Sequence, residues 1–354
     1  MTAAQQPGVM KGSMARVVQL TDGTTRRVAL VDEPRLRLVD GVSSMYELAS
    51  QATQTGDALS ALVQGRANGH VLDYDEVYAG HGQWRLLPPI DHPSEPARCI
   101  VSGTGLTHFG SARDRNAMHA AASPRAGASE PAELTDSLRM FQAGLEHGRP
   151  APGEVGVAPE WFYKGVGTML RGHEDPLVVP RFAEGGGEEA EIAGVYLIGA
   201  DGTPCRVGLA TGNEFSDHRF ERRNYLNLAG SKLRSSAIGP ELTLAPSFDT
   251  VPGEVWIERR GERIWTRAVA SGESEMSHSL RNIEHHHFKF DAHRRPGDVH
   301  VHFFGAHSLS FGEGITLEDG DVMCIRFEGF GRPLRNTVRV ESAGDRPIDV
   351  RPLG

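Results

Sequence analysis

The sequence predicts an α+β, mostly β fold. Three observations predict it. The 354 residues include 42 glycines and 21 prolines, so turns are frequent and long helices few. Short runs of β-branched and apolar residues recur from Gly165 onward. Helical patterns are confined to a handful of segments between such runs.

The elements follow in chain order. Residues 1–14 read as a mobile tail. Val17–Leu20, the Asp22-Gly23 turn and Arg27–Val31 read as a hairpin. Ser44 with Glu47 is a capping box, and it opens a helix to about Gln54. Leu59–Val63 suggests a second helical piece. Residues 15–95 are expected to form a small N-terminal α/β domain, with the proline-broken Trp84–Pro93 as linker. Residues 96–354 are expected to form the larger domain.

In that domain Arg98–Ser102 is a short strand leading into Gly103–His108. Ala122–Glu133, rich in Ala, Ser, Pro and Gly, reads as a loop or lid. Leu134–Glu146 reads as helical. Strands are expected at Pro176–Val179, Glu191–Ile198, Arg206–Ala210, Leu242–Leu244, Val255–Arg259, Ile264–Val269, Asp298–Phe303 and Val322–Phe327. Arg260-Gly261 turns a hairpin. Asn224–Lys232 and Ser277–Phe290 are expected helical insertions. No repeat of fixed period occurs.

Bulk properties exclude several functions. Net charge is −9 and no basic stripe is present, which argues against a nucleic-acid partner. No apolar run approaches the ~18 residues of a membrane span. The first residues lack the apolar core of a secretory signal. Cys99, Cys205 and Cys324 are an odd, sparse set, expected as reduced thiols in the cytoplasm. Gly103-Thr104-Gly105 and Gly165-Val166-Gly167 do not complete a dinucleotide fingerprint, and no Walker A loop or G-x-S-x-G elbow occurs.

The chemistry gathers elsewhere. Glu189 and Glu191 flank the start of a strand, and residues two apart on a strand share a face. Two carboxylates side by side suit a hard cation, Mg²⁺ or Mn²⁺, if a third oxygen ligand joins them. Glu214, after the turn-prone Gly212-Asn213, is the natural third, with Asp217 as the competing candidate. Glu188 reads as a solvated loop acid. His285-His286-His287 and the pair His300 and His302 read as structural or as a subunit contact.

At these residues the chain resembles the fumarylacetoacetate hydrolase superfamily. That family reads E-x-E, then N-D-x-S-x-R, then a lysine before a Gly-Pro. Glu189/Glu191, Asn213-Glu214-Phe215-Ser216, Lys232 and Gly239-Pro240 match in order, with Glu214 where Asp is usual. Further matches are Phe162-Tyr163-Lys164, Arg295–Val299, Leu317–Val322 and Glu328–Gly331 with Asn336. The resemblance implies the family's β-roll. It implies a Mg²⁺ (or Mn²⁺) held by Glu189, Glu191 and Glu214, and a small 2-oxo acid as substrate. It implies catalytic roles for Lys232, Lys164 and His108, and a homodimer.

The stretch Glu221–Leu228 resembles the E-x-x-N-x-L-x-L segment of the 2-keto-3-deoxy sugar acid dehydratase branch. The whole chain is similar to a GguC-like bacterial group found with sugar uptake and arabinose breakdown. That implies dehydration of a 2-keto-3-deoxy-pentonate, the L-arabinonate one, to 2-oxoglutarate semialdehyde. Asn213, Ser216, Arg113, Arg219 and Glu221, with Ser111, are the expected substrate-binding residues. The alternatives are a C–C hydrolase or decarboxylase of acylpyruvate-like acids, and a metal-binding homologue without turnover.

Overall fold

The computed structural model describes residues 14–110, 135–342 and 344–353. Almost all of the expected tail, the expected lid Ala122–Glu133, Ser111 and Arg113 lie outside them. The described chain is α+β and mostly β, with strands in two mixed sheets.

The larger sheet runs, edge to edge, through Val71–Asp73, Arg35–Leu38, Arg26–Asp32, Arg16–Thr21, Ser236–Thr243, Pro204–Asn213, Ala190–Ile198, Val299–Phe303, Cys99–Gly105 and Glu160–Val166. The N-terminal hairpin forms as expected. Asp22 closes its turn by accepting from the backbone of Thr24 and Thr25. The hairpin then joins the sheet, with Arg16 opposite Thr243. The expected linker contributes a strand of its own, Arg85–Leu87, paired to Arg16–Thr21. Sequence reasoning overlooked it because the adjacent Pro88-Pro89 dominates the stretch.

The helix Met45–Thr55 starts as the capping box predicts: Ser44 accepts from the Glu47 backbone N–H. Glu47 itself reaches back to the Ser43 N–H rather than that of Ser44. Its inner face, Met45 and Leu48, covers one side of the large sheet with Val63, Val101, Ala193, Val301 and Phe303. The opposite side of the sheet presents Ile192 and Phe304. These pack with Val255, Ile257, Ile325 and Phe327 of the second sheet and with Leu280 and Ile283. That second sheet is ordered Glu262–Ser271, Val251–Arg259, Val322–Phe327, Leu334–Val340, Leu177–Val179. Ala190–Ile198 therefore lies between two cores and is buried at every position. A central strand covered on both faces reads as a continuous apolar run, and AEIAGVYLI does so except at Glu191.

Among the described residues the histidines bond one another and neighbouring hydroxyls. His300 and His302 share one face of Val299–Phe303, turned toward the helix Leu280–Phe288. His287 Nε2 meets His300 Nδ1 at 2.9 Å, and His302 bonds the hydroxyls of Ser102 and Thr104 at 2.8 and 2.6 Å. No three of their nitrogens converge as a ligand set. No helix among the described residues is long and apolar enough to cross a membrane.

Burial pushes His108, His300 and His302 down to about 3. Each ring is neutral in the fold, whereas the unfolded chain takes protons below the usual 6.5. Their contribution to stability is complete above pH 6.5 and is lost as pH falls toward about 3. Each ring loses about 1.4 kcal/mol per pH unit across that window. Thermal unfolding should therefore shift steeply downward between pH 6 and pH 4. A midpoint flat across that range would contradict the assignment of neutral buried rings.

Candidate metal centre

The register of two antiparallel strands builds the site. Ala190 lies opposite Asn213 and Glu191 opposite Gly212. One step outward Glu189 faces Glu214, whose N–H donates to the Glu189 carbonyl at 3.0 Å. Residues two apart share a face, and so do residues directly opposed. Glu189, Glu191 and Glu214 therefore project together, with one oxygen of each within 4.8 Å of the others. Gly212 stands opposite Glu191 because the Phe303 ring fills that space; a Cβ there would lie 2.6 Å from the ring.

Two lysines neutralise most of this charge. Phe162 and Lys164 alternate with exposed Trp161 and Tyr163 along Glu160–Val166, so both point inward. Lys164 Nζ bonds Glu214 Oε1 and, at 2.8 Å, the Phe215 carbonyl. Lys232 closes the short helix Leu228–Lys232. Its Nζ bonds Glu189 Oε1 at 2.5 Å and Glu214 Oε2 at 2.6 Å, and sits 4.6 Å from the Phe162 ring centre. Ser216 Oγ adds a bond to Glu214 Oε1 at 2.8 Å. All five charged groups are buried. Three carboxylates and two ammonium groups leave one net negative charge.

That charge is unevenly shared. Burial raises Glu191 well above the usual carboxylate range, and the negative Glu214 and Glu189 raise it further. Burial also opposes ionisation of Glu189, but Lys232 and His218 outweigh it and hold Glu189 well below that range. Glu191 Oε2 accepts from the Gly305 N–H at 2.7 Å, while its Oε1 is buried without a partner. An orphaned buried carboxylate oxygen is costly. A divalent cation among the three carboxylates removes that cost, and an all-oxygen donor set suits Mg²⁺ or Mn²⁺. The residues thus fit the ion expected from the sequence.

The other expected residues fall into different places. Asn213 accepts from the Glu189 N–H at 3.4 Å and rests its amide on the Met323 sulfur; it braces the ligands from behind. Ser216 likewise serves Glu214. Glu221 is buried on the helix His218–Arg223. Arg219 is exposed, bonding Thr316 at 3.0 Å in a cleft lined by Glu184 and Phe311. His108 is buried, its ring nitrogens against the hydroxyls of Thr107 at 2.8 Å and Ser271 at 3.3 Å. Asp217 is not the third ligand. Its oxygens cap the helix at Phe220 N, accept from Glu184 N at 2.9 Å, and pair with Arg234.

Glu188 corrects the sequence reading: it is buried, not a solvated loop acid. Strand alternation turns it away from Glu189, and Ser310 supplies both its backbone N–H (2.8 Å) and its hydroxyl (2.7 Å). His218 was missed. It bonds Glu189 Oε1 at 3.0 Å. The signal was present, since the motif N-D-x-S-x-R laid on Asn213 ends at position 218, where this chain has His.

Fold and site define a two-sheet α+β protein with a buried cluster of three carboxylates able to hold a metal ion. No protein-family model matches the chain, and no curated protein matches it. Solved structures do. A 2-keto-3-deoxy-D-arabinonate dehydratase in its apo form superposes with a TM-score of 0.66 at 16% identity, covering 93% of this chain and 100% of that one. A 2-keto-3-deoxy-D-arabinonate dehydratase complexed with magnesium and 2,5-dioxopentanoate gives 0.65 at 15%, over 92% and 99%. A 5-carboxymethyl-2-hydroxymuconate delta-isomerase from Mycobacterium smegmatis gives 0.54 at 16%, over 92% and 100%. At such identities the likeness establishes the fold that this chain shares with them.

Because Glu191 holds its proton tightly without a cation, metal binding should expel that proton. Mn²⁺ titrations by calorimetry in buffers of different ionisation enthalpy should show up to about one proton released per ion, and affinity rising with pH. Glu191→Gln should keep the fold, since it replaces a poorly solvated acid by a neutral amide of equal size. It should lose the metal-induced rise in melting temperature, worth about 2.7 kcal/mol in wild type at a hundredfold excess over Kd. An undiminished rise in the variant would remove Glu191 from the centre.

Proposed function

We propose that this protein is a Mg²⁺-dependent hydro-lyase that dehydrates a 2-keto-3-deoxy-pentonate to 2,5-dioxopentanoate, which is 2-oxoglutarate semialdehyde. The observation that carries the reading is the buried triad Glu189, Glu191 and Glu214 clasped by Lys164 and Lys232. The dehydratases of the same fold support it, one of them complexed with magnesium and 2,5-dioxopentanoate.

Oxygen chemistry favours a 2-oxo acid, whose oxo and carboxylate oxygens suit the same hard cation as the three glutamates. When bound by the three glutamates, the cation supplies Lewis acidity toward the 2-oxo group and carboxylate of such a substrate. Dehydration then requires a proton to leave C3 and the hydroxyl to leave C4 as water; C5 next gives up a proton while C3 regains one, and the resulting C4=C5 enol becomes the aldehyde as its hydroxyl loses a proton and C4 gains one. Negative charge grows on the 2-oxo oxygen in the first step. In this reading Lys232 holds that charge, its ammonium fixed by two carboxylates and by the face of Phe162. Lys164 holds Glu214 in place from the opposite side. The neutral His108 stands beside Thr107, whose hydroxyl donates to the Phe304 carbonyl next to Gly305; it belongs to the support of Glu191. The reaction belongs in the proposal to sugar-acid breakdown by a cytoplasmic homodimer, as the resemblance implies.

The test is turnover. With Mg²⁺ and 2-keto-3-deoxy-pentonates of both configurations, semialdehyde should form and EDTA should stop it. Pyruvate released from acylpyruvates instead would establish C–C cleavage. Tight cation binding without turnover of any substrate would leave a binding protein. In the Mg²⁺-saturated enzyme, Lys232→Met should lower kcat by about 10²–10³, the usual effect of removing one group that stabilises an oxyanion. A wild-type kcat would return Lys232 to a purely structural role.

A further inference from the structure

We propose that His218 is a positioning residue of the cation centre: its imidazole fixes the Glu189 carboxylate so that Oε1 is held by the protein and Oε2 is left for the ion. The inference rests on the metal-dependent reading above and extends it to a group beyond the ligands.

Three features make the imidazole a fixed point. His218 is the first residue of its helix, and Asp217 before it is tied to three segments. The Asp217 N–H donates to Ser231 at 3.1 Å, and its carboxylate accepts from Glu184 at 2.9 Å and Phe220 at 3.1 Å. Ser216 and Gly187 exchange two backbone hydrogen bonds, at 2.9 and 3.1 Å, just before the helix begins. The ring itself is buried, with Phe311 across it at 5.5 Å between centres.

Gly187 is the second half of the device. A Cβ there would lie 2.4 Å from Nδ1, so the ring occupies the volume that any larger residue needs. The imidazole can approach Glu189 from this side because residue 187 has no side chain.

His218 and Lys232 both reach Oε1 of Glu189, at 3.0 and 2.5 Å, but they do different work. Lys232 is a point charge on a flexible stem and also bonds Glu214. His218 is a rigid, packed ring directed at one oxygen. Two donors on Oε1 occupy that oxygen and set the plane of the carboxylate. Outer partners of metal ligands commonly account for about 10- to 100-fold in affinity.

The experiment compares His218→Gln, which keeps an N–H donor, with His218→Met, which has similar length and none. Free Mn²⁺ is followed by electron paramagnetic resonance, and melting is recorded in EDTA. We expect Met to weaken Mn²⁺ binding about 10- to 100-fold and Gln to recover most of it, with similar melting in EDTA. Gly187→Ala, which drives the ring away while keeping His218, should reproduce the Met result. Equal Mn²⁺ affinity in the Gln and Met variants would overturn the role of His218 while leaving the metal reading intact. A wild type that binds no Mn²⁺ would overturn both.

Discussion

Everything in this molecule is organised around the burial of three like charges at one point. Isolated carboxylates taken out of water cost far more than a marginally stable protein can lose. Here two buried ammonium groups, a serine hydroxyl, an imidazole and a backbone N–H meet them. Lys232 and His218 keep Glu189 ionised, burial prevails at Glu214 despite its two lysines, and compensation is weakest for Glu191. This gradient shapes the chemistry. A fully compensated cluster has little affinity left for a cation, while an uncompensated one does not fold.

The sheet supplies the precision. Its central strand is sandwiched between two apolar cores, so the position of Glu191 is fixed by Ile192 on one side and Ala193 on the other. The ligands lie at the end of that strand, where apolar cover gives way to polar side chains. A rigid scaffold with its reactive groups at the strand ends is a recurrent way to hold a site without making it inaccessible.

Much of this was legible in the sequence because it depends on local period. The E-x-E pair and the capping box at Ser44 follow from spacing two and from a cap pattern, while Phe162 and Lys164 were expected from the family resemblance. Most strands from Glu191 to Phe327 follow from β-branched runs, but Ser236–Thr243 was expected only at its end, as Leu242–Leu244. Relations across the chain were not legible. Glu188 looks like its acidic neighbours until Ser310, far away in sequence, provides two donors. His218 is indistinguishable from other polar helix residues until the register brings Glu189 beside it. Val71–Asp73 is a three-residue edge strand, and Arg35–Leu38, although it alternates, is only four residues long after a proline, so their partners define them. Asn213 and Ser216 were recognised as part of the site, but the structure turns both toward the ligands they brace. Their polar atoms are consumed by the protein before any substrate is considered.

The pairing of Glu189 with Glu214 carries a last implication for how such a centre arises. Side chains on a strand have only two orientations, so sliding either strand by a single position inverts every one of them. A slip in the strand begun by Glu189 and Glu191 turns those two away together, and a slip in the strand that ends at Asn213 turns Glu214 away. A one-residue insertion within either strand must therefore be absorbed by a bulge, and the shift between Val195 and Tyr196, well away from the carboxylates, is where this chain absorbs one.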